Sequence, residues 1–159
     1  SSMRVPMIIS YPKLISKNTV IHEQCLNIDL APTILELAGV KKPKYMQGES
    51  MVKLMSGKKG KNWRKSIFFE YYVDDAWPYA GPDQVAVRTN EYKLVDNFLK
   101  DDIDELYDLV NDPGEMKNLI NNANYDDIEN ELRKESERLQ KKYKYNPDRD
   151  WWLRKQIRK

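Results

Sequence analysis

The pattern of hydrophobic residues changes once along the chain, at the basic, glycine-containing stretch 58–65. Before it, Leu30, Ile34 and Leu37 recur at the spacing of one helix face. After it, short runs rich in β-branched and aromatic residues alternate with polar ones, as is typical of strands. We therefore expect two parts: an incomplete α/β segment over residues 1–60 and an α+β subdomain over residues 61–159.

The first part carries signals for one strand and two helices. The apolar run 5–11 predicts a short strand with both faces buried, of the kind found in α/β sheets covered by helices. The spacing over 30–38 predicts a helix with Asp29 as its N-cap and Gly39 as its left-handed C-cap. A second, short helix is expected over 50–56.

The second part predicts a small antiparallel sheet and one long helix. Four strands are expected over 66–73, 85–89, 92–95 and 106–109, and the middle two form a hairpin. The last helix is predicted to start near Asp126, as its cap. Its apolar stripe consists of Ile128, Leu132, Leu139 and Tyr143. We expect about four antiparallel strands packed against this C-terminal helix.

Composition excludes several kinds of functional site. The 159 residues include 27 Lys and Arg against 25 Asp and Glu, a formal net charge of +2, which gives no broad electrostatic case for nucleic acid or an anionic membrane. A single cysteine, Cys25, and a single histidine, His22, exclude an internal disulfide, a Cys-based zinc cluster and any site needing two histidines. These exclusions weigh against a self-contained hydrolase.

Four stretches resemble the C-terminal part of the type I, formylglycine-dependent sulfatases of the alkaline-phosphatase-like superfamily. They are RVPMI at 4–8, NIDLAPTILELAGV at 27–40, VRT with YKL at 87–94, and ELYDL with NDP and EMKNL at 105–119. Each stretch alone is weak evidence for the family, but their order and spacing along nearly the whole chain are specific to it. The resemblance implies that 1–60 is the end of the α/β catalytic domain and that 61–159 is the C-terminal subdomain with a basic, aromatic tail.

The resemblance also implies which chemistry lies elsewhere. Sulfatases of this family use a formylglycine nucleophile and a divalent cation, usually calcium, both held by residues before the strand with which this sequence opens. We therefore expect no catalytic residue, metal ligand or cofactor in this chain. The implied partners are the preceding sulfatase region and a sulfated glycan or aryl sulfate, with neither nucleic acid nor membrane involved. Relatives are often exported, so a periplasmic or extracellular location is expected for the full-length sulfuric ester hydrolase.

The candidate substrate-binding residues are Asp74, Asp75, Trp77 and Tyr79, in the connection after the strand 66–73, together with Arg88. An aromatic loop with carboxylates suits stacking on a sugar or aryl ring while binding its hydroxyls. For Asp74 and Asp75 a solvated surface loop is the favoured interpretation, substrate contact comes next, and a metal-binding pair is least favoured because a hard cation needs oxygens from several segments. Arg88 has two interpretations of equal weight: it binds a sulfate or carboxylate of the substrate through two hydrogen bonds, or it forms a structural ion pair.

Two other functions fit the same residues. A stand-alone module for acidic glycans would use the aromatic loop together with the tail, in which basic residues alternate with Trp151 and Trp152. Packing of that tail on the parent protein is the favoured interpretation. A related phosphonate or phosphate-ester hydrolase is the second alternative, because this half of the superfamily is shared between the two activities.

Overall fold

The computed structural model describes residues 3–58, 62–71, 84–97 and 103–145. The chain divides into two compact units, Ser1–Lys65 and Ser66–Lys159. The domain boundary predicted at 60/61 falls on residues outside the described ranges, so the domain extents remain a prediction.

The first unit contains the two predicted helices. A 3₁₀ turn, Asn27–Asp29, leads directly into helix α1, Leu30–Leu37, and helix α2 follows at Val52–Met55. Both helices end at a glycine with positive φ, +70° at Gly39 and +76° at Gly57. Glycine adopts this left-handed conformation at the lowest cost, because it has no Cβ to clash. The prediction of the C-cap at Gly39 is confirmed.

Two details of the first unit differ from expectation. Residues 5–11 form no strand and are largely exposed, with Ile8 95% exposed, because the described residues of the first unit contain no strand with which this segment could pair. Asp29 stands at the N-cap position of α1, but its side chain makes no capping hydrogen bond. Its carboxylate accepts hydrogen bonds from other segments instead, as described below.

The second unit contains the predicted antiparallel sheet. Its strands are β1 (Ile67–Tyr71), β2 (Gln84–Arg88), β3 (Tyr92–Asn97) and β4 (Glu105–Asp108). They lie in the order β1-β2-β3-β4, and each neighbouring pair is antiparallel. The expected hairpin joins β2 to β3, where the Thr89 amide donates to the Tyr92 carbonyl.

Helix α3, Asp126–Tyr143, packs on one face of this sheet. The buried core consists of Val87, Leu94, Leu106, Leu119, Leu132 and Leu139, with Ile128 and Tyr143 packed at its edge. The predicted apolar stripe is therefore confirmed. The predicted cap is wrong, since Asp126 is the first helical residue and Tyr125 holds the N-cap position after a 3₁₀ turn, Ala123–Tyr125.

Candidate functional site: the loop end of the small sheet

Four of the five predicted site residues lie outside the described residues, but the anchors of their loop are described. Asp74, Asp75, Trp77 and Tyr79 fall within 72–83. Tyr71 and Gln84, on either side of this connection, are directly paired across β1 and β2. The connection therefore leaves and re-enters the sheet at one end, which we call the loop end. It is longer than the two residues that a tight hairpin needs.

The connection between β3 and β4 starts from the same end. Asn97 is paired with Gln84 in the sheet, and the side-chain Nε2 of Gln84 donates to Asn97 Oδ1 at 2.7 Å. Asn97 Nδ2 in turn donates to the Ile103 carbonyl at 2.7 Å, and the Asn97 backbone N–H donates to Asp104 Oδ1 at 3.1 Å. These side-chain hydrogen bonds thus link Gln84, at the end of the first connection, to both ends of the second connection.

Arg133 joins these residues to helix α3. Its guanidinium donates to Asp96 Oδ1 at 2.8 Å and to Asp104 Oδ2 at 2.9 Å, and it also pairs with Glu129 on its own helix. Burial raises the pKa of Asp96 above its usual value, although the nearby Arg133 charge opposes this shift. We call Gln84, Asp96, Asn97, Asp104 and Arg133 the polar rim. It gives the loop end a rigid base.

Sequence reasoning missed the polar rim. One signal was present in the sequence. Asp96 and Asn97 come directly after the apolar residues of β3, and a carboxylate next to a buried strand residue indicates that a partner for its charge lies nearby. The partner Arg133 is 37 residues away along the chain, and local patterns do not predict a pair of that separation.

Arg88 lies at the other end of β2. It pairs with Ile67 and Lys93 in the sheet, and the four residue steps of β2 separate it from Gln84 by about 13 Å. Because strand residues alternate between faces, Arg88 is on the face opposite Val87 and hence opposite α3. The described structure does not bring Arg88 to the anchors of the aromatic loop.

The neighbour of Arg88 on β3 is a buried lysine. Lys93 forms an ion pair with Glu115, and its Nζ lies 4.8 Å from the centroid of the Tyr107 ring. Burial, together with Glu105, raises the pKa of Tyr107 to about 12. Because the charge of Lys93 is compensated by Glu115, this cluster is suited to fixing the turn after β4 rather than to holding an anion.

A second buried polar network lies in the first unit, around Asp29. Its carboxylate is 0% exposed and accepts four hydrogen bonds. The backbone amides of Leu26 and Glu49 donate at 2.8 Å each, and Arg64 donates from Nη1 at 2.5 Å and from Nη2 at 2.7 Å. All acceptor positions of the carboxylate are thus in use, which makes this network structural rather than reactive.

The described residues were compared with what a reactive nucleophile or a metal site requires. Burial raises the pKa of the Cys25 thiol, with Asp29 adding to the effect, so this thiol is a poor nucleophile. Within residues 3–58, 62–71, 84–97 and 103–145, no three His, Cys, Asp or Glu side chains lie close enough together to hold a metal ion. Over these same residues, no helix is long and apolar enough to cross a membrane.

The four-stranded sheet with its single covering helix is the C-terminal subdomain of sulfatases in the alkaline-phosphatase-like superfamily, as the motifs of the sequence predict. The sequence model of the family described as "N-sulphoglucosamine sulphohydrolase, C-terminal" matches residues 1–142. The chain belongs to this family.

Individual relatives agree with this assignment. The chain is 36% identical over 148 residues to an N-acetylglucosamine-6-O-sulfatase of Bacteroides thetaiotaomicron, covering 91% of this chain and 26% of that protein. A structure solved in complex with its substrate D-glucosamine-2-N,6-O-disulfate superposes with a TM-score of 0.83 at 34% identity, covering 88% of this chain and 28% of the other.

The fold is also found outside the sulfatases. A phosphonate monoester hydrolase from Silicibacter pomeroyi has a TM-score of 0.70 at 22% identity, covering 81% of this chain and 27% of that one, a likeness of fold alone. This chain spans about a quarter of the length of the two sulfatases described above.

Proposed function

We propose that this chain works as the C-terminal part of a longer sulfatase that hydrolyses sulfate esters on sugars. The observation that carries the proposal is the 34% identity and TM-score of 0.83 to a structure whose bound substrate is a disulfated glucosamine. The similarity to an N-acetylglucosamine-6-O-sulfatase supports the same substrate class.

In this proposal, the reacting groups belong to the preceding region of the longer protein. In the family, a formylglycine would supply a nucleophilic oxygen and a calcium ion would supply positive charge beside the sulfate, and both groups would be held by that preceding region. The described residues hold no cluster of metal ligands, so they do not fit a calcium site of their own. The role left to this region is structural support and the choice of substrate.

We assign substrate contact to the loop 72–83. The polar rim supports this assignment, because it ties Gln84, the anchor after the loop, to β3 and the helix, while Tyr71, the anchor before the loop, is paired with Gln84 in the sheet. Recognition residues work best on such a base, since less ordering is needed when the ligand binds. Trp77 would stack on a sugar ring and Asp75 would bind a hydroxyl, with Asp74 and Tyr79 beside them.

The test is a change of substrate selectivity in the full-length protein. Loss of a stacking contact worth about 1–3 kcal/mol lowers kcat/KM roughly ten- to hundredfold. We expect Trp77→Ala to have this effect on a sulfated glycan but to leave turnover of a small aryl sulfate nearly unchanged. Tyr45→Ala, at an exposed aromatic residue of the first unit, is the matched control and should change neither rate.

Other outcomes would contradict the loop assignment. Equal losses on both substrates would indicate a folding defect, and no loss on either would make the loop ordinary surface. A glycan-specific loss in Tyr45→Ala as well would show that the glycan selectivity does not depend on the loop in particular.

Arg88 needs a separate experiment, because it lies at the opposite end of β2. If Arg88 reads an anionic group of the substrate, Arg88→Lys lowers kcat/KM and leaves the melting temperature unchanged, since lysine cannot form the bidentate contact. If Arg88 serves the stability of the sheet instead, the melting temperature falls and kcat/KM per folded molecule is kept.

A further inference from the structure

One arginine of helix α3 binds both ends of the connection between β3 and β4. Arg133 Nη1 donates to Asp96 Oδ1 at 2.8 Å, near the end of β3, and Arg133 Nη2 donates to Asp104 Oδ2 at 2.9 Å, directly before β4. The planar guanidinium carries five N–H donors in a fixed fork, so it binds two carboxylates at once. It therefore bridges the two ends of this connection.

Arg133 is itself held by a residue of its own helix. Glu129, one turn earlier, accepts from Arg133 Nε at 2.9 Å and lies 2.8 Å from Nη2. Each nitrogen of the guanidinium thus has a carboxylate partner, and the four side chains are between 19% and 38% exposed. Because these carboxylates surround one positive charge, its removal would leave Asp96, Asp104 and Glu129 to repel one another. The separation of the two ends of the connection therefore depends on Arg133.

The bridge reaches the anchor of the loop 72–83 through a continuous row of hydrogen bonds. Asp104 Oδ1 accepts from the backbone N–H of Asn97 at 3.1 Å, and Asn97 Oδ1 accepts from Nε2 of Gln84 at 2.7 Å. Gln84 is the first residue after the loop and is paired in the sheet with Tyr71, the last residue before it. A displacement of Asp104 would therefore displace the residue that anchors the loop.

We infer that Arg133 is a positioning residue for glycan recognition, which fixes Gln84 and with it the loop 72–83 by bridging Asp96 and Asp104. The inference rests on the proposed function, since it adds a residue to the role that we assign to this loop. A misplacement of about 1 Å in a recognition contact costs up to roughly a hundredfold in rate. Arg133 thus affects the choice of substrate through the loop rather than by a contact of its own.

The test measures kcat/KM of the longer sulfatase on a glycan that carries 6-O-sulfated glucosamine and on para-nitrophenyl sulfate. Arg133→Met removes the bridge but keeps an unbranched side chain on the helix. We expect kcat/KM for the glycan to fall about tenfold, because the loop is displaced, and kcat/KM for the aryl sulfate to change by less than about twofold. Arg138→Met is the matched control, because Arg138 is on the same helix and pairs with Glu135, outside the polar rim. It should change neither rate.

Two more variants separate positioning from a role in folding. Arg133→Lys keeps the charge, but its ammonium group cannot bind both carboxylates in the fixed geometry of a guanidinium. We expect its melting temperature to stay near that of the unchanged protein while kcat/KM for the glycan still falls. Arg133→Met combined with Trp77→Ala should lose at most about twofold more than Trp77→Ala alone, because both changes act on the same contact.

Amide hydrogen exchange follows the bridge independently of activity. The Asn97 amide is bonded to Asp104 Oδ1, on the carboxylate that Arg133 holds, whereas the Leu106 amide is bonded to Asn118 Oδ1. In Arg133→Met, the Asn97 amide should exchange at least about tenfold faster than in the unchanged protein. The Leu106 amide should keep its rate, because its acceptor does not depend on the bridge.

Equal losses on both substrates in Arg133→Met would overturn the inference, as would the same glycan-specific loss in Arg138→Met. So would an unchanged kcat/KM for the glycan in Arg133→Lys, losses that multiply in the double variant with Trp77→Ala, or an unchanged exchange rate at Asn97. Failure of the proposed function looks different, because the unchanged protein then releases no sulfate from any sulfated sugar and only the exchange at Asn97 responds to Arg133→Met.

Discussion

Replacing Arg64 by methionine tests the energetic role of the Asp29 network. Methionine keeps much of the length of the arginine stem but removes both guanidinium bonds to the carboxylate, at 2.5 and 2.7 Å. The Asp29 carboxylate would stay fully buried with two backbone amides as its donors. Breaking a buried pair in this way costs about 3–5 kcal/mol, because it leaves an uncompensated charge.

The matched control is the exposed ion pair between Lys42 and Glu49, 3.3 Å apart with side chains 33% and 61% exposed. Glu49→Gln removes this charge interaction but keeps the Glu49 backbone amide that donates to Asp29. An exposed pair of this kind contributes at most about 1 kcal/mol. The difference in unfolding free energy between the two variants therefore measures how much burial increases the cost of losing an ion pair.

Amide hydrogen exchange at Met51 is the assay, because this buried amide is bonded to Thr33 and reports on unfolding of the first unit. A loss of about 3–5 kcal/mol speeds exchange by about a hundred- to several-thousandfold, at roughly 1.4 kcal/mol per tenfold change. Adding Asp29→Asn to Arg64→Met should cost less than the sum of the two single changes. An acceleration below tenfold in Arg64→Met, or one equal to that of Glu49→Gln, would refute this reasoning.

Two further predictions concern pH and backbone packing. The hydrogen bonds from Arg138 hold the pKa of Glu135 below its usual value of 4.5, so its stabilising contribution is complete above that value and is lost as the pH falls below it. The melting temperature, measured between pH 6 and pH 3, should fall as Glu135 becomes protonated, and Glu135→Gln should weaken this dependence on pH. If the melting temperature of Glu135→Gln fell just as steeply with pH, Glu135 would not be the group responsible. Gly48→Ala should prevent stable folding of the first unit in urea titrations, because the new Cβ would lie 2.0 Å from the Ile28 carbonyl oxygen. Gly39→Ala, in open space at φ +70°, should cost only about 1 kcal/mol, and equal effects of the two substitutions would show that the close approach at Gly48 is relieved.

The elements that sequence reasoning predicted correctly are those set by local periodicity. The alternation in 85–95 gives the hairpin of β2 and β3, and the stripe that includes Leu132 and Leu139 gives α3 and its buried face. Both patterns repeat within a few residues, so neither depends on distant parts of the chain.

The elements that sequence reasoning did not predict depend on long-range partners. A strand over 5–11 needs a sheet, and the described residues of the first unit contain no strand with which it could pair. The role of Asp29 is decided by Arg64, 35 residues away in the basic stretch, rather than by the helix that Asp29 precedes. Strand register also separates Arg88 from the loop anchors, and register cannot be read from composition.

Sulfate release by the longer sulfatase proposed to contain this chain is the most direct test of the proposed function. The substrate is a sugar carrying a 6-O-sulfate on glucosamine, a phosphonate monoester with an aryl leaving group is the comparison, and the product is inorganic sulfate measured by ion chromatography. We expect the longer polypeptide to release sulfate at a kcat/KM well above that for the phosphonate, and residues 1–159 alone to release none. Hydrolysis of the phosphonate but of no sulfated sugar, or sulfate release that tracks the purified 159-residue chain by itself, would contradict it.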